Sequence, residues 1–201
     1  MIYSNRFAFI HLPRTGGHSV MNAIAQAGTT GVTICGKVWP LPYWLHGRAV
    51  DLVGMPGWDS SFRWAVTRNP WDVLESEWSF WAAQRRRHEE TQGKCRLGHH
   101  IDDLFWERAI RQGKQTFEEY AREQYADLPA GGGRWLKWCM GASGEDIGVE
   151  PVRYGDLQTR WGELCRKMGI PTTPLARSNG FGRASGIDWT PSLLRWVDDH
   201  F

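Results

Sequence analysis

Two short segments of the chain carry residue types suited to gripping anions. Pro13-Arg14-Thr15-Gly16-Gly17-His18-Ser19 combines a cation, two hydroxyls and a Gly-Gly step. The glycines leave backbone N–H groups open to close approach, and a helix starting there adds about half a positive charge at its N-terminus. Arg14 brings a full charge, and Thr15 and Ser19 bring hydroxyl donors. That is the chemistry of a phosphate cradle. A tight turn bearing a surface arginine would leave the same trace, because short glycine motifs are common. The second segment, Val66-Thr67-Arg68-Asn69-Pro70-Trp71-Asp72, sets Arg68 just before a helix that Pro70 opens, with Ser76 two turns along it. Arg offers a fork that matches phosphate, and Ser one further donor. Pairing of Arg68 with Asp72 or Glu75 is the plainer alternative. Two such segments suggest a ligand with two separated phosphate groups.

The first segment is not a Walker A loop. That loop ends in Gly-Lys followed by Ser or Thr, whereas Gly17 is followed by His18. Without the lysine that reaches terminal phosphates, a magnesium-bound nucleoside triphosphate is disfavoured. An anion held by amides and Arg14, with no essential metal, fits better. His88, His99 and His100 with Cys95 form no closed ligand pattern, and the cysteines Cys35, Cys95, Cys139 and Cys165 contain no CxxC pair. Free thiols in a reducing compartment are therefore expected.

The elements that must position these segments read as strand, loop and helix. Phe7–Ile10 is a short continuous apolar run, suited to a buried strand, and Val20, Ile24 and Ala27 repeat at helical spacing before Gly28. Residues 32–35 form a second short strand in this reading. Phe62–Thr67 is another strand, running into Arg68 and a helix from Pro70 to about His88. Arg85 to Arg96 is basic and is expected to form a surface insertion. Helices are expected over 101–110, 117–125 and 157–168, a late strand over 150–154, a glycine-rich loop over 177–187 and a terminal helix after Pro191. Strand–loop–helix units point to an α/β fold with a mainly parallel sheet. Ligands on such sheets sit at the carboxyl ends of strands, so both loops should face one crevice.

The chain has 201 residues, 24 Lys+Arg against 22 Asp+Glu, and a formal charge of +2, which excludes a globally basic nucleic-acid coat. At 41% hydrophobic and 23% charged it is neither disordered nor membrane-embedded by composition. No apolar run reaches the roughly 18 residues of a transmembrane span, and no signal-peptide pattern opens the chain. A single domain over 1–201, with an insertion or lid around 82–145, is expected. The 13 tryptophans mainly fill core, and some suit a groove for sugar rings or cations.

Taken together, the motifs carry a family resemblance. Pro13–Ser19 resembles the 5'-phosphosulfate loop of sulfotransferases, and Val66–Asp72 with Ser76 resembles their 3'-phosphate element. Arg153-Tyr154-Gly155-Asp156-Leu157, the helix after it, and Ser178-Asn179 with its glycine-rich loop are similar to the carbohydrate sulfotransferase type. Residues 82 to 145 lie outside the resemblance.

The resemblance implies a P-loop-like, nucleotide-kinase-like three-layer fold with a central parallel sheet. It implies transfer of a sulfuryl group from 3'-phosphoadenosine 5'-phosphosulfate to an acceptor hydroxyl, with a carbohydrate as the expected partner. Donor-binding residues would be Arg14, Thr15, Gly16, Gly17, His18, Ser19, Arg68, Ser76, Arg177 and Arg183. Relatives usually carry Lys where this chain has Arg14, which keeps the charge but removes ready proton donation. His46 matches the acceptor-activating histidine of that type, with His18 as the rival base. A soluble, cytoplasmic enzyme with neither nucleic-acid nor membrane partner is expected. A small kinase, or a non-catalytic binder of anionic glycans or nucleic acid, stands as the alternative.

Overall fold

The computed structural model describes residues 1–28, 33–34, 47–91, 107, 110–126, 133–176 and 184–200. The chain divides into two compact units, one of Met1–Arg68 with Gly132–Asn179, the other of Asn69–Gly131 with Gly180–Phe201.

The first unit is built on a five-stranded mixed sheet. Its strands are β1 (Ile2–Tyr3), β2 (Phe7–Ile10), β3 (Thr33–Ile34), β4 (Phe62–Thr67) and β5 (Glu150–Arg153), in the order β3-β1-β2-β4-β5. β2, β4 and β5 run parallel, with Phe9 opposite Trp64 and Val66 opposite Val152. β1 pairs antiparallel with both β2 and β3. The mainly parallel sheet expected from sequence is thus a mixed one, whose parallel pairing is that of β2, β4 and β5. A short strand beside the first residues can join only as a hairpin partner of β2, because no crossover separates them.

Alternation along the strands divides the core into two faces. Phe7, Phe9, Trp64, Val66 and Val152 pack toward α1 (Gly17–Gln26) and, later in the chain, a helix over Leu157–Met168. Ala8, Ile10 and Ala65 pack toward a short 3-10 turn at Ala49–Leu52 and a helix at Gly133–Cys139. Because both faces are covered, β2 is buried along its whole length, which is why it reads as an unbroken apolar run. Trp64 is fully buried, its ring 4.7 Å from Phe9 and 6.4 Å from Trp161. Burying such a side chain contributes about 1.5–3 kcal/mol. Cys139 and Cys165 are free, buried thiols, and burial raises both pKa values.

The second unit is helical. α2 spans Pro70–Glu90 with Pro70 in its first turn, and the Asn69 side chain accepts from the Trp71 amide at 2.9 Å. Arg85, Arg86 and Arg87, the start of the basic run, lie on the last turns of α2, within the helix expected to reach about His88. Its apolar face continues through Trp81 and Ala82, so the helix does not stop at the basic residues. Residues 92–100 lie outside the described residues. α3 (Phe117–Tyr125) starts from a reciprocal cap between Thr116 and Glu119. The helices at Gly133–Cys139, Leu157–Met168 and Pro191–His200 are α4, α5 and α6. Trp78 meets Phe117 and Tyr120 edge-on, and the buried Glu77 carboxylate accepts from the Tyr125 hydroxyl at 2.8 Å. Among the described residues no helix is long and apolar enough to cross a membrane.

Candidate functional site

β2 delivers the chain to the carboxyl edge of the sheet at Ile10, and α1 begins at Gly17. Between them the backbone is held in an unusual shape. Thr15 is buried, and its hydroxyl donates to the Leu12 carbonyl at 2.8 Å. That hydrogen is directed at the loop's own backbone rather than at a ligand. Arg14 takes a left-handed φ of 63°, which costs a non-glycine residue about 1–3 kcal/mol. Two other arginines brace it. Arg68, just past β4, donates through Nη1 to the Arg14 carbonyl at 3.2 Å. Arg134, on α4, donates through Nη1 to the Pro13 carbonyl at 2.9 Å.

Gly16 caps α1 at φ 87° and ψ 11°, and Gly17 is already right-handed helix. A left-handed residue followed by a right-handed one turns successive amides toward one concavity, an anion-binding nest. The first-turn amides of Gly17 and His18 have no intrahelical acceptor, while Ser19 N–H closes back on the Gly16 carbonyl at 3.0 Å. The two glycines are needed for different reasons. A Cβ on Gly16 would stand 2.8 Å from Tyr154 Cε2, and one on Gly17 1.8 Å from His11 Cδ2.

Tyr154, at the end of β5, joins the pieces. Its ring lies against Gly16, and the Arg68 guanidinium carbon sits 4.8 Å from the ring centroid. The ends of all three parallel strands therefore meet here. A cleft of about 270 Å³ opens beside them, lined by Gly16, Ser19, Tyr154, Leu157, Leu175 and Ala176. Leu157, Leu175 and Ala176 give it apolar walls, Gln158 adds a polar group from the first turn of α5, and Gly16 and Ser19 form the α1 side.

The local field is cationic. Desolvation and the adjacent Arg14 charge hold the His18 pKa below its ordinary value. Its ring stands edge-on to His11, 5.4 Å between centroids. His18 is therefore a neutral imidazole near pH 7, able to accept a proton when an anion arrives. His11 is buried and stacks on Phe9 at 6.0 Å.

Of the residues singled out from sequence, Arg14, Thr15, Gly16, Gly17, His18, Ser19 and Arg68 are brought together in the first unit. Ser76 lies on α2 in the second. His46, Arg177 and Arg183 lie outside the described residues. Sequence reasoning missed Arg134, which carries no motif. Tyr154 does leave a signal in the sequence, as a tyrosine at the carboxyl end of a predicted parallel strand. Among the described residues no three His, Cys, Asp or Glu side chains gather as a metal site. No family model, curated protein or solved structure matches the chain.

Proposed function

We propose that the Pro13–Ser19 loop and Arg68 form the donor site of a sulfotransferase using 3'-phosphoadenosine 5'-phosphosulfate. The observation that carries this reading is the meeting of two loops distant in sequence, Arg68 Nη1 lying 3.2 Å from the Arg14 carbonyl beside the Gly16–Gly17 nest. The nest, the α1 N-terminus and Arg14 suit the 5'-phosphosulfate, and Arg68 the 3'-phosphate. The apolar wall of the cleft suits the nucleoside between them. The finer fold reading, a nucleotide-kinase-like layering with a strand–loop–helix anion site, belongs to this proposal. It is supported by covered faces on both sides of the sheet.

In this mechanism the acceptor oxygen, from a carbohydrate hydroxyl, attacks sulfur in line with the departing phosphate. Its proton passes to His46, the new O–S bond forms, and the S–O bond to the 5'-phosphate breaks. 3',5'-Adenosine bisphosphate leaves with the bonding pair. Negative charge grows on that phosphate, where the loop amides and Arg14 meet it. One such donor is worth about 3 kcal/mol in comparable sites, or roughly a hundredfold in rate.

Calorimetry with 3',5'-adenosine bisphosphate tests the reading. The wild-type chain should bind it without added metal, and Arg68→Ala should weaken binding at least tenfold. A screen of labelled carbohydrate acceptors should then give a sulfated product that His46→Ala abolishes. No binding below millimolar bisphosphate, or tighter binding of magnesium ATP, would overturn the proposal.

A further inference from the structure

We propose that Arg134 is a positioning residue of the Pro13–Ser19 loop, which with Arg68 holds the loop's peptide planes in a ligand-receiving orientation before any anion arrives. The loop half of this inference stands on geometry alone, and its binding half rests on the donor site proposed above.

Arg134 comes from the first turn of α4, far from the loop in sequence, and its guanidinium is not adrift. Its Cζ lies 6.0 Å from the centroid of Trp138, one turn on, and Trp138 packs on the second face of the sheet core. Arg68 is braced in the same way by Tyr154. Two guanidiniums, each steadied by an aromatic ring, thus take two successive carbonyls, those of Pro13 and Arg14. A trans peptide is planar, so pinning a carbonyl to one side sends the N–H of the same unit to the other. Arg134 therefore fixes the direction of the Arg14 N–H, and Arg68 that of the Thr15 N–H. The residue between the two pinned carbonyls is Arg14, at φ 63°. Such a conformation persists where surrounding contacts over-determine it, and Arg134 supplies one of those contacts. Charge-assisted bonds to carbonyls are stronger than neutral ones. The guanidinium is also the cationic side chain that stays rigid and planar while braced on a ring. The clamp draws Arg14, Arg68 and Arg134 to one place, so orienting the loop also concentrates positive charge around it.

The test compares wild type with Arg134→Met, which keeps the stem but loses the donor, and Arg134→Lys, which restores one. The first readout is hydrogen exchange of the 14–18 amides in ligand-free protein, resolved by mass spectrometry. The second is affinity for 3',5'-adenosine bisphosphate and, separately, for inorganic sulfate. Loss of one charge-assisted hydrogen bond should speed loop exchange about tenfold or more in Arg134→Met. Both affinities should weaken by a similar factor, Arg134→Lys should recover part of each, and exchange in β4 and α5 should stay unchanged. Unchanged loop exchange with weakened binding would overturn the inference, because Arg134 would then act by touching the ligand. Faster exchange throughout the first unit would also overturn it, because the residue would then be merely structural. If wild type binds no bisphosphate yet the loop still loosens in Arg134→Met, the clamp stands and the donor reading falls.

Discussion

Gly17→Ala isolates the packing that shapes the anion loop. Gly17 is already in helical conformation, so alanine there incurs no backbone strain; the cost comes from His11. A Cβ would lie 1.8 Å from His11 Cδ2 and 2.1 Å from Nε2, against an ordinary carbon contact of about 3.5–4.0 Å. The imidazole would have to retreat by about 2 Å, and it is 1% exposed, stacked on Phe9 and edge-on to His18. Overpacking a filled core costs about 1–3 kcal/mol. A displacement of that size belongs to the upper half of that range, and the better helix propensity of alanine offsets at most about 1 kcal/mol, leaving a net loss of roughly 1–2 kcal/mol. Urea unfolding should show that loss as a lower midpoint at constant slope. In a chain of this length the melting temperature should fall by a few degrees, at about 2–4 °C per kcal/mol. His11→Ala removes the obstructing ring, so the double variant should be more stable than the sum of the single effects by about 1 kcal/mol or more. Gly28→Ala is the contrast: nothing lies within 4 Å of its added Cβ, and only the left-handed φ of 64° opposes it. Stability of Gly17→Ala within about 0.5 kcal/mol of wild type, the usual span for a neutral surface change, would refute the packing of His11 on Gly17. Strict additivity with His11→Ala would refute it equally.

Two pH effects follow from the charges. His18 has its pKa depressed, so the unfolded chain binds more protons than the folded one between the folded pKa and 6.5. Stability should fall as pH drops through that window, His18→Gln should remove that slope, and bisphosphate should shift the His18 NMR titration upward with proton uptake. In the second unit, hydrogen bonds from Thr190, Arg122 and Ser192 lower the Glu118 pKa from 4.5 to about 2. That carboxylate ties α3 to the start of α6. Its stabilising charge is present above pH 4.5 and is lost as pH falls toward 2. The melting-temperature gap between wild type and Glu118→Gln should close over that range; a gap independent of pH would show that the charge contributes nothing.

Much of the scaffold was legible because local chemistry and burial agree. Phe7–Ile10 and Phe62–Thr67 are apolar enough to read as buried strands. Pro70 sits at a helix start, where its missing N–H costs nothing. α5 shows its buried stripe of Leu157, Trp161, Leu164 and Met168 directly. The legibility failed where partners are distant or elements tiny. β1 has two residues and owes its strand conformation to pairing on both sides.

The anion loop shows the same division within a few residues. Order along the chain determined that a strand would end, two glycines would turn, and a helix would begin with its amides exposed, because each step depends on neighbours a few bonds away. Tertiary structure decided what those glycines are for and how the loop is held. His11 against Gly17, Tyr154 against Gly16, and Arg68 and Arg134 on consecutive carbonyls are all side-chain encounters. Three of those four partners lie at least about fifty residues away, beyond the reach of any periodicity: Arg68 and Tyr154 meet the loop only once parallel strands bring their carboxyl ends to one edge, and Arg134 only once α4 packs on the sheet.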